Sequence, residues 1–339
     1  MTNGAAGSRI ITDVDFERDG KQVTHLRVPQ AHDDSAWGVV PIPIVVVKNG
    51  SGPTLMLSAG VHGDEYEGQV ALLDLVREIR PEEIQGRLIV IPALHLPAAR
   101  AGRRLSPFDG LDLNRTVPGN RGGSFAPMLA HYVAEALLPL CDVNVDLHSG
   151  GRSLDCLACT MSHLLDDAGV VEQTVTLARA FGAPLHVMNR EVDGSGTLAS
   201  AAEARGVITM SSELGGSNRL SRRGLEIPRH GVRNLLRHLG MAEGEPTPFQ
   251  EPTEVRVLPD AKSYGFAPAS GIFCPLHDLG EDVEAGQPAA AIYDIDDPLR
   301  PPVVMTFCRS GLLWAMRGQG RAEKGDAAAV IVTPWSADG

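Results

Sequence analysis

The 339-residue sequence predicts an α/β protein, a mixed, mostly parallel sheet covered by helices, followed by a smaller all-β domain. Three observations carry this prediction. From Thr54 onward, short runs rich in Val, Ile and Leu alternate with segments of helical apolar spacing, the pattern of strands joined by crossover helices. The first fifty residues are instead rich in Val, Ile and Thr and broken by tight turns. After residue 254 the chain is strand-rich and carries an internal repeat.

Residues 9–16, 22–28 and 39–48 read as strands, with turns at Asp19-Gly20 and Asn49-Gly50. Residues 55–58 form a short apolar strand. The next helix spans 68–79, where Val70, Leu72, Leu73 and Val76 keep helical spacing. A strand over 88–94, a helix over 124–138 and a strand over 142–147 follow. The helix over 166–181 is closed by Gly182 and Pro184. A strand over 185–188, a short helix over 198–205, a strand over 207–214 and a last helix over 229–239 complete the alternation. Residues 240–254 are polar and rich in Pro and Gly, which divides the chain into 1–245 and 246–339. In the second part, Ser270-Gly-Ile-Phe leads fifteen residues on to Ala285-Gly286, and Ser310-Gly-Leu-Leu leads fourteen residues on to Lys324-Gly325. Two such β units that cannot each close a core would pack as a pseudo-symmetric sandwich. The pattern resembles the barrel-sandwich of lipoyl and biotinyl domains. Residues 294–298, where those carriers hold a modified Lys, contain none, so an accessory domain is expected.

Lys and Arg number 30 against 42 Asp and Glu, a formal charge of −12, which weighs against nonspecific binding to nucleic acid or anionic membranes. No apolar run approaches the ~20 residues of a spanning helix. The first eight residues lack the basic, then apolar, signature of a secretory leader. Five cysteines form no disulfide framework. A cytoplasmic protein, homo-oligomeric like many such enzymes, is expected.

The chemistry concentrates in Ser58-Ala-Gly-Val-His62-Gly63-Asp64-Glu65-Tyr66-Glu67-Gly68. His62 falls just past a strand and Glu65 opens a helix, the place where open α/β sheets bind ligands. A His and a carboxylate three apart across such a turn can converge on one point, and the pair suits Zn²⁺. His148, in Asn144-Val-Asp-Leu-His148, ends another strand, and Asp146 two residues earlier could orient its imidazole. Each of these alone is commonly an ordinary polar residue. Together they form a candidate metal site.

Gly60-Val-His-Gly-Asp-Glu65, Asp112-Leu-Asn-Arg115, Asp146-Leu-His148 and Ser212-Glu213-Leu-Gly-Gly216, in that order, resemble the succinylglutamate desuccinylase/aspartoacylase family, a branch of the zinc carboxypeptidase-like hydrolases. The resemblance covers roughly residues 35–335. Val61 departs from it, since many members carry Asn there. The resemblance implies a zinc carboxypeptidase-like fold and one Zn²⁺ per chain, held by His62, Glu65 and His148. It implies Glu213 as general base and then acid, Asn114 and Arg115 as a clamp on the substrate α-carboxylate, and Arg104 on the scissile carbonyl oxygen. Arg103 is adjacent and the assignment between the two stays open. Residues 35–68 and 106–115 look most like deacetylases of N-α-acetyl-L-2,4-diaminobutyrate in ectoine breakdown. A zinc amidohydrolase acting on that small molecule is therefore expected. The alternatives are a carboxypeptidase, or a deacylase of N-acetylaspartate or N-succinylglutamate.

A substrate with a side-chain amine should meet a carboxylate, for which Asp64, Glu191 and Asp193 are unranked candidates. Cys156-Leu-Ala-Cys159 reads as buried strand thiols. Gly194-Ser-Gly196 is too short for a nucleophile elbow. His163, His186, His230 and His277 read as structural.

Overall fold

The computed structural model describes residues 7–190 and 196–336; Glu191, Asp193 and Gly194-Ser195 lie outside them. A hairpin opens the fold, with β1 (Gly20–Pro29) antiparallel to β2 (Val39–Asn49). The strand expected over 9–16 is reduced to one bridge, Ile11 with Arg27. Ile10, Val14 and Phe16 still insert into the core. The backbone there is drawn off by side chains: Val14 N–H donates to Thr12 Oγ1, and Asp15 N–H to Gln22 Oε1. Such local bonds compete with a ladder.

The alternating region follows as β3 (Thr54–Ala59), α1 (Glu67–Glu78), β4 (Gly86–Ile91), α2 (Leu96–Ala101), α3 (Phe125–Tyr132), β5 (Val143–His148), β6 (Leu154–Cys156), β7 (Cys159–His163), α4 (Ala168–Phe181), β8 (Leu185–Asn189), α5 (Leu198–Glu203), β9 (Ile208–Glu213) and α6 (Arg222–His238). Strands β4, β3, β5 and β9 are parallel neighbours. Every residue of β3 and β5 is buried, as continuous apolar runs covered on both faces require. One core layer packs α3 and α5 on one side of the sheet, and another packs α1, α4 and α6 on the other.

Two helical segments escape the sequence pattern. The short α2 is started by His95, whose Nδ1 accepts from Ala98 N–H at 3.1 Å, and stopped by left-handed Gly102. Helix α6 begins seven residues before the expected 229 and runs through Pro228. Gly224 and Gly231 lower its helical signal, yet both are needed for packing. A Cβ at Gly224 would lie 2.2 Å from the Leu214 carbonyl oxygen, and one at Gly231 would lie 2.4 Å from the Phe181 ring.

The C-terminal strands are β10 (Glu254–Leu258), β11 (Tyr264–Phe266), β12 (Gly271–Pro275), β13 (Asp282–Val283), β14 (Pro288–Tyr293), β15 (Val303–Thr306), β16 (Gly311–Arg317), β17 (Arg321–Ala322) and β18 (Ala327–Pro334). The repeat is visible as β12-β13-β14 against β16-β17-β18. Each copy lends its two-residue strand to the other: β13 pairs with β16 and β17 with β12. Phe273, Val283 and Ile292 meet Leu313, Ala322 and Ile331 in a shared core.

These strands do not stand apart from the first region. Strand β10 lies parallel to β8 and antiparallel to β18, while β6 pairs with β16. The result is one mixed sheet of fourteen strands, with a second antiparallel sheet ordered β15-β14-β12-β17. Among the described residues, no helix is long and apolar enough to cross a membrane.

Trp314 locks this junction. It is 5% exposed, packs with Cys156, Leu185 and Val330, and its indole N–H donates to the Leu157 carbonyl at 3.0 Å. Trp314→Ala is expected to destabilise the protein by about 3–5 kcal/mol, the usual cost of emptying a large core site. Chemical denaturation followed by circular dichroism checks this. Because the two parts share one sheet, the unfolding transition should shift as a unit.

Candidate active site

Strand register builds the site. Ser58 on β3 lies beside Asp146 on β5, and His148 lies beside Glu213 on β9. The carboxyl ends of three parallel strands therefore present their side chains at one level. His62 follows β3 in a tight loop pressed onto α2. A Cβ at Gly63 would lie 2.0 Å from the Ala98 carbonyl carbon, so only Gly fits there. Behind Glu213, Gly216 is equally constrained, since a Cβ would lie 2.0 Å from the Leu154 carbonyl oxygen.

His62, Glu65 and His148 are all buried, and one donor atom from each lies within 4.8 Å of the others. Glu65 stands between the two rings. Its Oε1 is 2.8 Å from His62 Nδ1 and its Oε2 is 2.7 Å from His148 Nδ1. The far nitrogens are occupied: His62 Nε2 lies 3.0 Å from Asp112 Oδ1, and His148 Nε2 lies 2.7 Å from Asp146 Oδ2. Asp146 is steadied in turn by Ser58 Oγ, which donates to Oδ1 at 2.7 Å. With each Nε2–H given to an aspartate, each Nδ1 presents a lone pair to a carboxylate oxygen. Acceptors at such distances need a cation or protons between them, and two imidazoles with a carboxylate are a donor set that suits zinc.

The electrostatics agree. Burial opposes charge on both imidazoles, but the surrounding carboxylates outweigh it and raise both pKa values. Glu65 is held below the usual carboxylate range despite its burial, because the two rings flank it. Glu213 moves the other way: burial first, then the charge of Glu65, push it up to about 7. Its Oε2 is buried and has no hydrogen-bond partner among the described residues.

The arginines separate. Arg104 donates from Nε to Asp112 Oδ2 at 2.9 Å, and its Nη1 lies 3.8 Å from Glu65 Oε1. Arg103 lines an adjoining cavity with Asp64, Arg152 and Arg317 instead. Arg115 and Asn114 border the same cavity as the metal set. The Asn114 side-chain oxygen also accepts from Leu198 N–H at 2.8 Å, tying this loop to the start of α5. His62, Glu65, Arg104, Asn114, Arg115, His148 and Glu213 thus all line one cavity of about 240 Å³, below the 300–1,000 Å³ usual for ligand pockets.

The other candidates take different places. Asp64 does not line this cavity, and its Oδ2 accepts from Arg152 N–H at 3.0 Å. His163, read as structural, borders the cavity and bonds Glu203, which borders it too. Nothing in the sequence marks Glu203, which reads as one acid on a short helix. His186 is held by Thr160 and Ser162, His230 by the Thr247 carbonyl, and His277 by Glu281. Cys156 and Cys159 are buried free thiols whose pKa values burial raises.

Residues 51–239 match the model of the succinylglutamate desuccinylase/aspartoacylase catalytic domain. The chain is 42% identical to an N-α-acetyl-L-2,4-diaminobutyric acid deacetylase of Halomonas elongata, over 96% of this chain and 95% of that one. A succinylglutamate desuccinylase/aspartoacylase of Rhodobacter sphaeroides superposes with a TM-score of 0.94 at 43% identity, covering 97% and 100% of the two chains. The product-bound ectoine utilization protein EutE of Ruegeria pomeroyi superposes with a TM-score of 0.93 at 38% identity, covering 96% and 99%.

Asp146→Asn keeps shape but loses the negative charge that steadies the His148 ring. Metal affinity is expected to fall about 10–100-fold, the usual cost of losing such a partner. Competition with a chromophoric zinc chelator measures it, and His148→Ala, which removes the donor itself, should lose stoichiometric binding.

Proposed function

The chain belongs to the succinylglutamate desuccinylase/aspartoacylase family, and on that premise we propose that it hydrolyses N-α-acetyl-L-2,4-diaminobutyrate to acetate and L-2,4-diaminobutyrate, with one Zn²⁺ per chain. One observation carries the reading. A three-donor set that could hold a metal, a buried carboxylate with one oxygen left without a hydrogen-bond partner among the described residues, and two arginines meet in a single small cavity. The names of the Halomonas and Ruegeria relatives support the substrate.

His62, Glu65 and His148 would hold the metal, which when bound polarises the amide carbonyl and acidifies a water. Glu213 accepts the proton of the attacking water and returns it to the amide nitrogen as the C–N bond breaks. Arg104, anchored by Asp112, faces the oxygen on which negative charge develops. Arg115 with Asn114 holds the α-carboxylate, for which a guanidinium fork is suited. Water is consumed, the carboxylate leaves as acetate and the amine leaves protonated.

The same reading assigns residues 1–245 a zinc carboxypeptidase-like fold and residues 246–339 a barrel-sandwich accessory role. Arg317, Gln319 and Asp326 from this second part stand around the adjoining cavity, which supports exclusion of peptides and weighs against a carboxypeptidase. Five unpaired cysteines support a cytoplasmic enzyme. We read it as a homo-oligomer that engages neither nucleic acid nor membrane.

Glu213→Gln should retain zinc while kcat falls by about 10²–10⁴, the worth of a positioned acid–base group. Single-substrate kinetics with metal analysis on the same sample test this, and near-normal kcat would remove Glu213 from the mechanism. The substrate is tested by competition. N-α-acetyl-diaminobutyrate, N-acetylaspartate, N-succinylglutamate and a carboxypeptidase peptide are offered together, and the first should be consumed with the highest kcat/KM. Preference for either dicarboxylate would change the substrate and leave the metal chemistry intact.

A further inference from the structure

Four carboxylates among the described residues line the cavity: Glu65, Asp146, Glu203 and Glu213. Three are committed at the metal end. Glu65 lies between the two imidazoles, Asp146 holds His148, and Glu213 lies at the level of His148 on the neighbouring strand. Glu203 belongs to the opposite end. Its partner His163 closes β7, which runs antiparallel to β9 with Cys159 opposite Glu213 and Met161 opposite Ser211. Directly opposed residues share a face, so Met161 and His163 stand on the same cavity wall as Glu213 and Ser211. Continuing that register puts His163 four residues from Glu213, roughly 14 Å along the strand between backbone positions.

The local chemistry at that end suits a cation. Glu203 is the last residue of α5, where the negative pole of the helix disfavours an acid. Its side chain is 16% exposed, and both oxygens are turned towards one nitrogen, His163 Nδ1, at 3.0 and 2.8 Å. One imidazole nitrogen orients the carboxylate and leaves lone pairs on each oxygen for further donors. Asn189, beside His163 in the β7–β8 register, and Ser211 add neutral polar groups to the same cavity. A primary ammonium brings three donors to such a place.

We propose that Glu203, positioned by His163, receives the side-chain ammonium of the substrate and makes the cavity selective for an N-acyl amino acid with a short cationic side chain. This inference rests on the substrate reading above. It gives the two ends of the cavity separate tasks: bond cleavage at the metal set, and selection by charge at the β7–α5 end.

The test compares N-α-acetyl-L-2,4-diaminobutyrate with N-α-acetyl-L-norvaline, in which a methyl group replaces the ammonium. The zinc-loaded wild-type enzyme should prefer the amine in kcat/KM. In Glu203→Gln that preference should fall by about 10–100-fold, the worth of hydrogen bonds to a charged group, mainly through KM. Glu203→Asp, which keeps the charge, should retain most of it. Zinc content and thermal melting are followed in each variant. A Glu203→Gln enzyme that slows equally on both substrates, or keeps the wild-type preference, overturns the role given to Glu203 and leaves the substrate reading standing. A wild-type enzyme without preference for the amine overturns the substrate reading, and this inference with it.

Discussion

Glu65 faces two imidazoles whose outer nitrogens are already bound to aspartates, and much of the structure exists to hold that arrangement. Left alone, lone pairs would confront a carboxylate across less than 3 Å inside the protein. The aspartates remove each ring's freedom to rotate or change tautomer, so the tension is relieved only by a cation or by protons at the centre. Ser58 and Arg104 fix those aspartates in turn. The donor set is thus tied into the sheet on one side and the Arg104 loop on the other.

Parallel pairing makes this possible. Because β3, β5 and β9 run the same way, their ends supply a loop histidine, a strand histidine and a strand glutamate without strain in any single element. The adjacent turns then need glycine where backbone meets backbone, as at Gly63 and Gly216. Both glutamates are buried, and their neighbours give them opposite characters. Glu65, flanked by rings, stays charged, while Glu213, buried and facing the charge of Glu65, is pushed towards neutrality.

Much of this was legible in the sequence. The alternation after Thr54 follows from apolar spacing, and the candidate metal ligands sit in short motifs next to strand ends. The C-terminal repeat is visible as recurring Ser-Gly and Ala-rich segments. What escaped obeys tertiary packing. Residues 9–16 bury apolar side chains with a single bridge in place of a ladder, and α6 keeps two glycines because neighbouring elements leave no room for a Cβ. The continuity of β10 with β8 is a pairing between segments separated by a polar linker, which no local pattern encodes. The cavity's far end was hidden for a similar reason. His163 and Glu203 are 40 residues apart and meet only when β7 and α5 come to border the same space.

The interleaved C-terminal strands have a mechanical consequence. With β10 joined to β8, β18 to β10 and β16 to β6, the C-terminal strands and the layer that carries the candidate site share one hydrogen-bonded fabric. Swinging them apart as rigid lobes would tear several ladder bonds at once. Rearrangement on this side is left to segments outside the ladders, such as the bend over 318–320 beside the adjoining cavity. The two parts therefore behave as one stiff piece, with no clamshell hinge between them.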